Sequence, residues 1–278
     1  MNVNTLRRIV DAYAREVGTT PRRAQHWISF MLVAAAIERV VEPSEPVVLV
    51  KGGVAMELRL GLHARTTADL DTVWGVEGSA VAALEQLGTR LATLDGEFGF
   101  RVARVEAIEP TGAARALVQT TLNGRPWSSI RLELSTAEAD LASDFDLVAI
   151  DPPLARFNLA GPGTVASMPI PLQIAQKLHA LTDLDAPEDP ARCRHALDVV
   201  LLLPLVEDEA ELARIVSAVF DRRGAQELPG MVTSHPDWDP AYARFAADAP
   251  GAPETLDAAL AQIDVLLGEL LKRRVTRP

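Results

Sequence analysis

Residues 47–71 constrain this chain more than any other stretch. An apolar run, Val47-Val48-Leu49-Val50, suits a buried strand; Lys51-Gly52-Gly53 follows, and then helix-forming residues from Ala55 to Leu60. Paired glycines let a backbone turn tightly and come close to a ligand. A helix that opens there aims its first N–H groups, and the positive end of its dipole, at any anion above the turn. Asp69-Leu70-Asp71 closes the stretch. If Leu70 points into a core, the period of two in a strand puts both carboxylates on the other face, with Cα atoms roughly 6.5–7 Å apart. Both can then converge on Mg²⁺, which takes hard oxygen ligands. Asp-x-Asp by itself is also a common solvated turn or edge; the strand-glycine-helix element upstream makes it a candidate nucleotide and metal site.

A third carboxylate follows from alternation. In Ser129-Ile130-Arg131-Leu132-Glu133-Leu134-Ser135, Ile130, Leu132 and Leu134 read as facing a core, with Arg131, Glu133 and Ser135 on the other side. Two readings stay open for Glu133: the third member of an acidic triad, or part of an exposed Arg-x-Glu face. Lysine is scarce, with Lys51, Lys177 and Lys272 against 24 arginines. A compact ammonium suits a triphosphate, whereas arginine favours planar bidentate pairing. Lys51 is therefore either a phosphate contact at the glycine turn or a strand-end residue. Lys177 lies in a helical pattern whose apolar stripe is Ile174, Leu178 and Leu181.

Four motifs in order, Leu49-Val-Lys-Gly-Gly, Arg65-x-Thr67-x-Asp69-Leu-Asp71, Lys177-Leu-x-Ala-Leu and Arg194-x-x-x-Asp198-Val-Val-Leu-Leu, closely resemble the AbiEii/AbiGii toxin family of nucleotidyltransferases, including its MenT-type members. The resemblance covers roughly residues 5–205. It implies an α+β, DNA-polymerase-β-like nucleotidyltransferase fold: a mixed sheet flanked by helices, with a core lobe at 1–165 that includes the N-terminal helices and a helical C-terminal lobe at 166–278. By position, Asp69 and Asp71 match the metal-binding pair, with Glu133 a weaker third match. Thr67 matches a hydroxyl position beside the pair, Lys177 the lysine that contacts nucleotide phosphates, and Asp198 a required helix acid. Lys51, Gly52 and Gly53 complete the nucleotide side.

The resemblance further implies a toxin of a toxin–antitoxin system that moves a nucleotide from an NTP to the 3′ acceptor end of tRNA, using Mg²⁺ or Mn²⁺, under restraint by a separately encoded AbiEi-like antitoxin. Two other readings remain: nucleotidyl transfer to a hydroxyl of a small molecule or protein, and a binding module without turnover. The chain departs from the family pattern at Val54, where many relatives carry a serine, and at His195, where relatives often carry a second acid; His195 reads as a helix-surface residue.

Composition bounds the rest. With 278 residues and 48% apolar content, the chain can bury a substantial core. No long uncharged apolar run and no signal-peptide pattern is present, which points to a cytoplasmic protein without membrane partners. One cysteine, Cys193, leaves no internal disulfide. A net charge of −11 opposes general affinity for nucleic acid, so an RNA surface would have to gather Arg22, Arg23, Arg59, Arg65, Arg192, Arg194, Arg222, Arg223 and Lys272 to Arg274. Periodicity predicts helices at 4–17, 21–41, 53–60, 78–94, 171–184, 190–203, 207–223 and 255–273. It predicts strands near 69–75, 98–108, 114–122 and 128–135, with irregular chain at 150–169 and 229–253 and a helix stop at Gly224.

Overall fold

Alternating burial along two strands sets the architecture. Leu70, Ile130, Leu132 and Leu134 are buried, while Asp69, Asp71, Arg131 and Glu133 are not, so one sheet face is apolar and the other charged, as the sequence pattern predicts. The computed structural model describes residues 1–109, 111–136, 145–183, 189–224 and 226–275. The chain divides into two units: Met1–Gly61 with Thr66–Met168, and Leu62–Arg65 with Pro169–Pro278.

The first unit opens with α1 (Val3–Val17) and α2 (Pro21–Val40). Asn2 and Thr20 cap their N-termini by accepting from Thr5 N and Arg23 N, which satisfies backbone donors that a helix start leaves orphaned. Next come β1 (Val48–Lys51), α3 (Gly52–Leu60), β2 (Asp69–Trp74), α4 (Ala80–Leu91), β3 (Phe98–Ile108), β4 (Ala113–Leu122), β5 (Arg125–Ser135), β6 (Asp146–Ala149) and β7 (Thr164–Ser167). They build one seven-stranded mixed sheet in the order β3-β4-β5-β2-β1-β7-β6. Its apolar face packs under α1, α2 and α4. Helix α2 is buried almost all round from Trp27 to Ile37, the pattern of a central helix rather than a surface one.

Strands β6 and β7 correct the sequence reading, which had nothing at 146–149 and irregular chain at 150–169. Each is four residues long, too short for alternation to register; β7 pairs with β1 at Val50–Ser167, and β6 pairs with β7. Arg59 fastens this edge: it donates to Ser167 Oγ (2.7 Å), Met168 O (3.0 Å) and Asp146 Oδ2 (2.6 Å).

The second unit is helical: α5 (Ile170–Thr182), α6 (Cys193–Leu202), α7 (Glu209–Arg223), α8 (Trp238–Ala246) and α9 (Leu256–Val275). The expected stripe of Ile174, Leu178 and Leu181 is buried. Helix α6 touches α5, α8 and α9, so its side chains are enclosed on most sides. Gly224 ends α7 in the left-handed conformation, the stop its position predicts. The predicted helix end at 184 lies outside the described residues. Helix α8 corrects the expectation of loop at 229–253; Pro240 falls in its first turn, where proline costs no intrahelical hydrogen bond. No described helix is long and apolar enough to cross a membrane.

Candidate active site

In the first unit the sheet register assembles the acids. Asp71 on β2 lies opposite Lys51 on β1 and Glu133 on β5, and Glu133 lies opposite Arg115 on β4. Cross-strand neighbours share a face, so Lys51, Asp71, Glu133 and Arg115 form one row. Asp69, two residues along, lies opposite Arg131. A bulge in β3 between Ala103 and Glu106 extends the row, placing Glu106 opposite Arg115; without the extra residue Val105 would stand there.

The glycines of the turn are required by this row. Gly52 has φ +64°, and a Cβ there would lie 1.9 Å from Asp71 Oδ2. A Cβ on Gly53 would lie 2.5 Å from Thr67 Oγ1. The turn is thus glycine because the Asp71 carboxylate and the Thr67 hydroxyl occupy the space that side chains would need. Thr67 in turn leans on the backbone, its Oγ1 3.4 Å from Asp69 O. Lys51 stands at the N-cap of α3 and supplies no side-chain acceptor, so the helix's opening N–H groups receive no capping side chain from it.

Each outer acid carries an arginine. Arg115 donates to Glu133 Oε1 through Nε (2.9 Å) and Nη2 (2.5 Å), and this bond holds the guanidinium above its ordinary pKa. Arg131 Nε lies 2.5 Å from Asp69 Oδ1. That contact is one of charge only, because Oδ1 is buried and receives no hydrogen bond among the described residues. Oxygen donors on one face, one of them buried without a donor, and a glycine cradle around Asp71 fit a hard divalent cation at Asp69 and Asp71. Glu133 is in the row but engaged by Arg115, and no three His, Cys, Asp or Glu side chains converge into a metal cage among the described residues.

In the second unit the other predicted residues meet around Asp198. This carboxylate is 0% exposed. It accepts from Arg65 Nε and Nη2 at 2.8 Å each and from Lys177 Nζ at 2.6 Å. Burial alone would raise its pKa, but the charges of Arg65 and Lys177 outweigh that and hold it well below the usual carboxylate range. Lys177 is itself buried rather than a solvated helix residue. His195, one turn before Asp198, corrects the surface reading: it is half-buried, and its Nδ1 has no hydrogen-bond partner among the described residues. Burial first, then the positive charges of Lys177 and Arg194, pushes its pKa down to about 3, so the ring is neutral.

Sequence reasoning missed the arginine partners. Arg65 appeared within the second motif, but its pairing with Asp198 spans 133 positions. Arg131 was correctly put on the face of Glu133, yet its contact with Asp69 needs the parallel pairing of β2 and β5. The expected basic surface is also reduced: Arg23, Arg59, Arg65, Arg192, Arg273 and Arg274 each pair with a carboxylate.

An apolar groove of about 250 Å³ lies elsewhere in the first unit, beside Ile37, Val48, Val50, Thr72, Leu147 and Val165. Val50 and Thr72 alternate with Lys51 and Asp71 along their strands, so the groove faces away from the acids. Its lining does not suit phosphate.

No curated protein matches this chain in sequence. Among solved structures it is similar to MenT4, a nucleotidyltransferase toxin from Mycobacterium tuberculosis H37Rv, at 17% identity and a TM-score of 0.63, over 95% of this chain and 89% of that one. It is also similar to a nucleotidyltransferase-type protein from H. pylori, at 15% identity and a TM-score of 0.48, over 90% and 97% of the two chains. The likeness to MenT4 is one of fold, the α+β nucleotidyltransferase architecture that the motifs implied. The model of the nucleotidyl transferase AbiEii toxin family, type IV toxin–antitoxin system, matches residues 36–262. That match begins later than the expected resemblance at 5–205 and runs beyond it into α9. On this match over most of its length, the chain belongs to the AbiEii nucleotidyltransferase toxin family of type IV toxin–antitoxin systems.

Proposed function

We propose that this chain transfers a nucleotide from an NTP to the 3′ acceptor end of tRNA in the cytoplasm, with Mg²⁺ or Mn²⁺ as cofactor and a separately encoded antitoxin as its restraint. The observation that carries the reading is the buried Asp69 Oδ1 with no hydrogen-bond donor, on the same face as Asp71 and beside a turn that is glycine to make room for a carboxylate. Asp69 and Asp71 would hold the cation, with Glu133 as a third ligand once it leaves Arg115. The bound cation supplies Lewis-acid stabilisation of the charge that builds on phosphate oxygens during transfer.

The remaining work falls to the chain's own groups. Gly52 and Gly53 let phosphate approach the backbone, where the opening N–H groups of α3 and the Lys51 ammonium favour negative charge. Glu133, once it leaves Arg115, would bind the cation near an acceptor hydroxyl and help take its proton. Lys177 donates to Asp198; the role that the family resemblance gives it is to neutralise the phosphates as pyrophosphate leaves. Asp198 is a positioning residue that fixes the Lys177 side chain.

A second reading, transfer to a hydroxyl of a protein or small molecule, is favoured by one observation: net charge is −11 and many arginines are paired, which weakens a case for RNA. Incubation with Mg²⁺, each α-labelled NTP and total tRNA, followed by a denaturing gel, separates the two. Label in tRNA that disappears in Asp69→Asn is the expected result. Label on protein or on a small molecule would replace the acceptor, and no Asp69-dependent label on any acceptor would leave a binding module.

A further inference from the structure

Two acids of the row are already paired with arginines by the chain itself. Arg131 Nε touches Asp69 Oδ1 at 2.5 Å, and Arg115 grips Glu133 through two N–H groups. Guanidinium groups therefore stand against two of the three carboxylates that a divalent cation would need. The hold is weak in kind. Their side chains are 50% and 36% exposed, and pairs so open to water are screened and contribute little. The Arg131 contact also misses hydrogen-bond alignment, so strand register, and not this arginine, fixes where Asp69 sits. Arg115 has a second acid within its row, because the β3 bulge sets Glu106 opposite it.

We infer that Arg131 and Arg115 are exchange groups: each holds its carboxylate until a divalent cation takes it, and the released guanidiniums then turn to the phosphates of the nucleoside triphosphate. The inference rests on the metal-dependent reading above. Charge balance supplies the reason. Lys51, Arg115 and Arg131 leave the four acids of this face, Asp69, Asp71, Glu106 and Glu133, with one negative charge in excess, so a divalent cation arriving alone turns the balance positive, which a polyphosphate reverses. Arginine is also the side chain whose fork fits phosphate oxygens. Cation and triphosphate should therefore each strengthen the binding of the other, by the same factor in both directions.

The test is a Mn²⁺ titration of the full chain followed by electron paramagnetic resonance of free Mn²⁺, with and without a non-hydrolysable NTP analogue. Without nucleotide, Arg131→Gln should bind Mn²⁺ about twofold to fivefold more tightly than the wild type, the range set by losing one exposed competing pair. Arg131→Lys, which keeps the charge, should stay nearer the wild type. With the analogue present, the wild type should gain Mn²⁺ affinity and Arg131→Gln should gain less, since the released guanidinium is gone. Asp69-dependent Mn²⁺ binding that Arg131→Gln leaves unchanged or weakens overturns the exchange alone. No Asp69-dependent binding in any variant overturns it together with the metal-dependent reading.

Discussion

Two carboxylates, Asp69 and Asp198, each meet an arginine, and the two pairs differ in nearly everything else. Asp69 lies on an open sheet face with 29% of its side chain exposed, against a half-exposed Arg131. Asp198 is sealed in the helical unit between Arg65 and Lys177, with 13% and 9% of their side chains exposed. Burial decides what each can do. An ion pair in water forms and breaks at little cost, whereas a buried charge must keep its partners because nothing else solvates it. By this physical contrast the Arg131 pair can change partners at little cost, whereas Arg65, Lys177 and Asp198 must stay together.

The largest effect should come from emptying the buried cluster. Asp198→Ala removes the buried carboxylate on which Arg65 and Lys177 both converge, which should cost about 3–5 kcal/mol of stability in urea unfolding. A loss below about 1 kcal/mol would mean that water reaches Arg65 and Lys177, and the contrast with the sheet face would collapse.

Next is the glycine that makes room for Asp71. Gly52→Ala imposes a left-handed conformation on a residue with a Cβ, about 1–2 kcal/mol, and adds a contact 1.9 Å from Asp71 Oδ2. Gly18→Ala is the matched control, with φ +71° and nothing within 4 Å of the added atom. Gly52→Ala should lose more stability than Gly18→Ala in thermal unfolding, and it should also weaken Mn²⁺ binding, which the control leaves alone. Equal behaviour of the two would show that the turn does not constrain Asp71.

A smaller effect depends on pH. The pKa of His195 is lowered in the fold to about 3, by burial first and by Lys177 and Arg194 next. Between that value and about 6.5 the unfolded chain binds a proton that the folded chain refuses, so stability rises with pH across this window and is lost as pH falls. Comparison of wild type and His195→Gln should show the wild type losing up to about 1.4 kcal/mol more per pH unit between pH 6 and pH 4. The depressed pKa of Asp198 acts lower: its contribution is present above about pH 3.9 and drains away below it, outside that comparison. Parallel curves would place His195 in water.

The two regions also differ in how far the sequence could be read. Around Asp69 the chain announces itself, because Leu70, Leu132 and Leu134 alternate with charge and Gly52-Gly53 breaks a strand from a helix. Local spacing cannot name partners brought together by strand order, so Arg131 was seen beside Glu133 and not beside Asp69. Strands β6 and β7 escaped for the same reason: four residues carry too little pattern, and it is pairing, of β7 with β1 and of β6 with β7, that defines them. Helix α8 hid behind the prolines at 229–253. In the helical unit the stripe of α5 was legible, but the burial of Lys177 and His195 was not. A polar residue on a predicted helix reads as solvated unless its distant partner, here Asp198 with Arg65, is already known.

The smallest predicted effect measures the contrast directly. Arg131→Gln removes a half-exposed guanidinium from a pair that lacks hydrogen-bond alignment, and stability should change by less than about 1 kcal/mol. Arg65→Gln removes the bidentate partner of a fully buried carboxylate, leaving Lys177 alone to neutralise it, and should cost about 3 kcal/mol. Both substitutions delete one arginine from one aspartate, so the difference in their urea midpoints isolates burial from charge. If Arg131→Gln proves as costly as Arg65→Gln, the sheet-face pair is a structural clamp, and Asp69 is held by its arginine instead of by the register of β2 against β5.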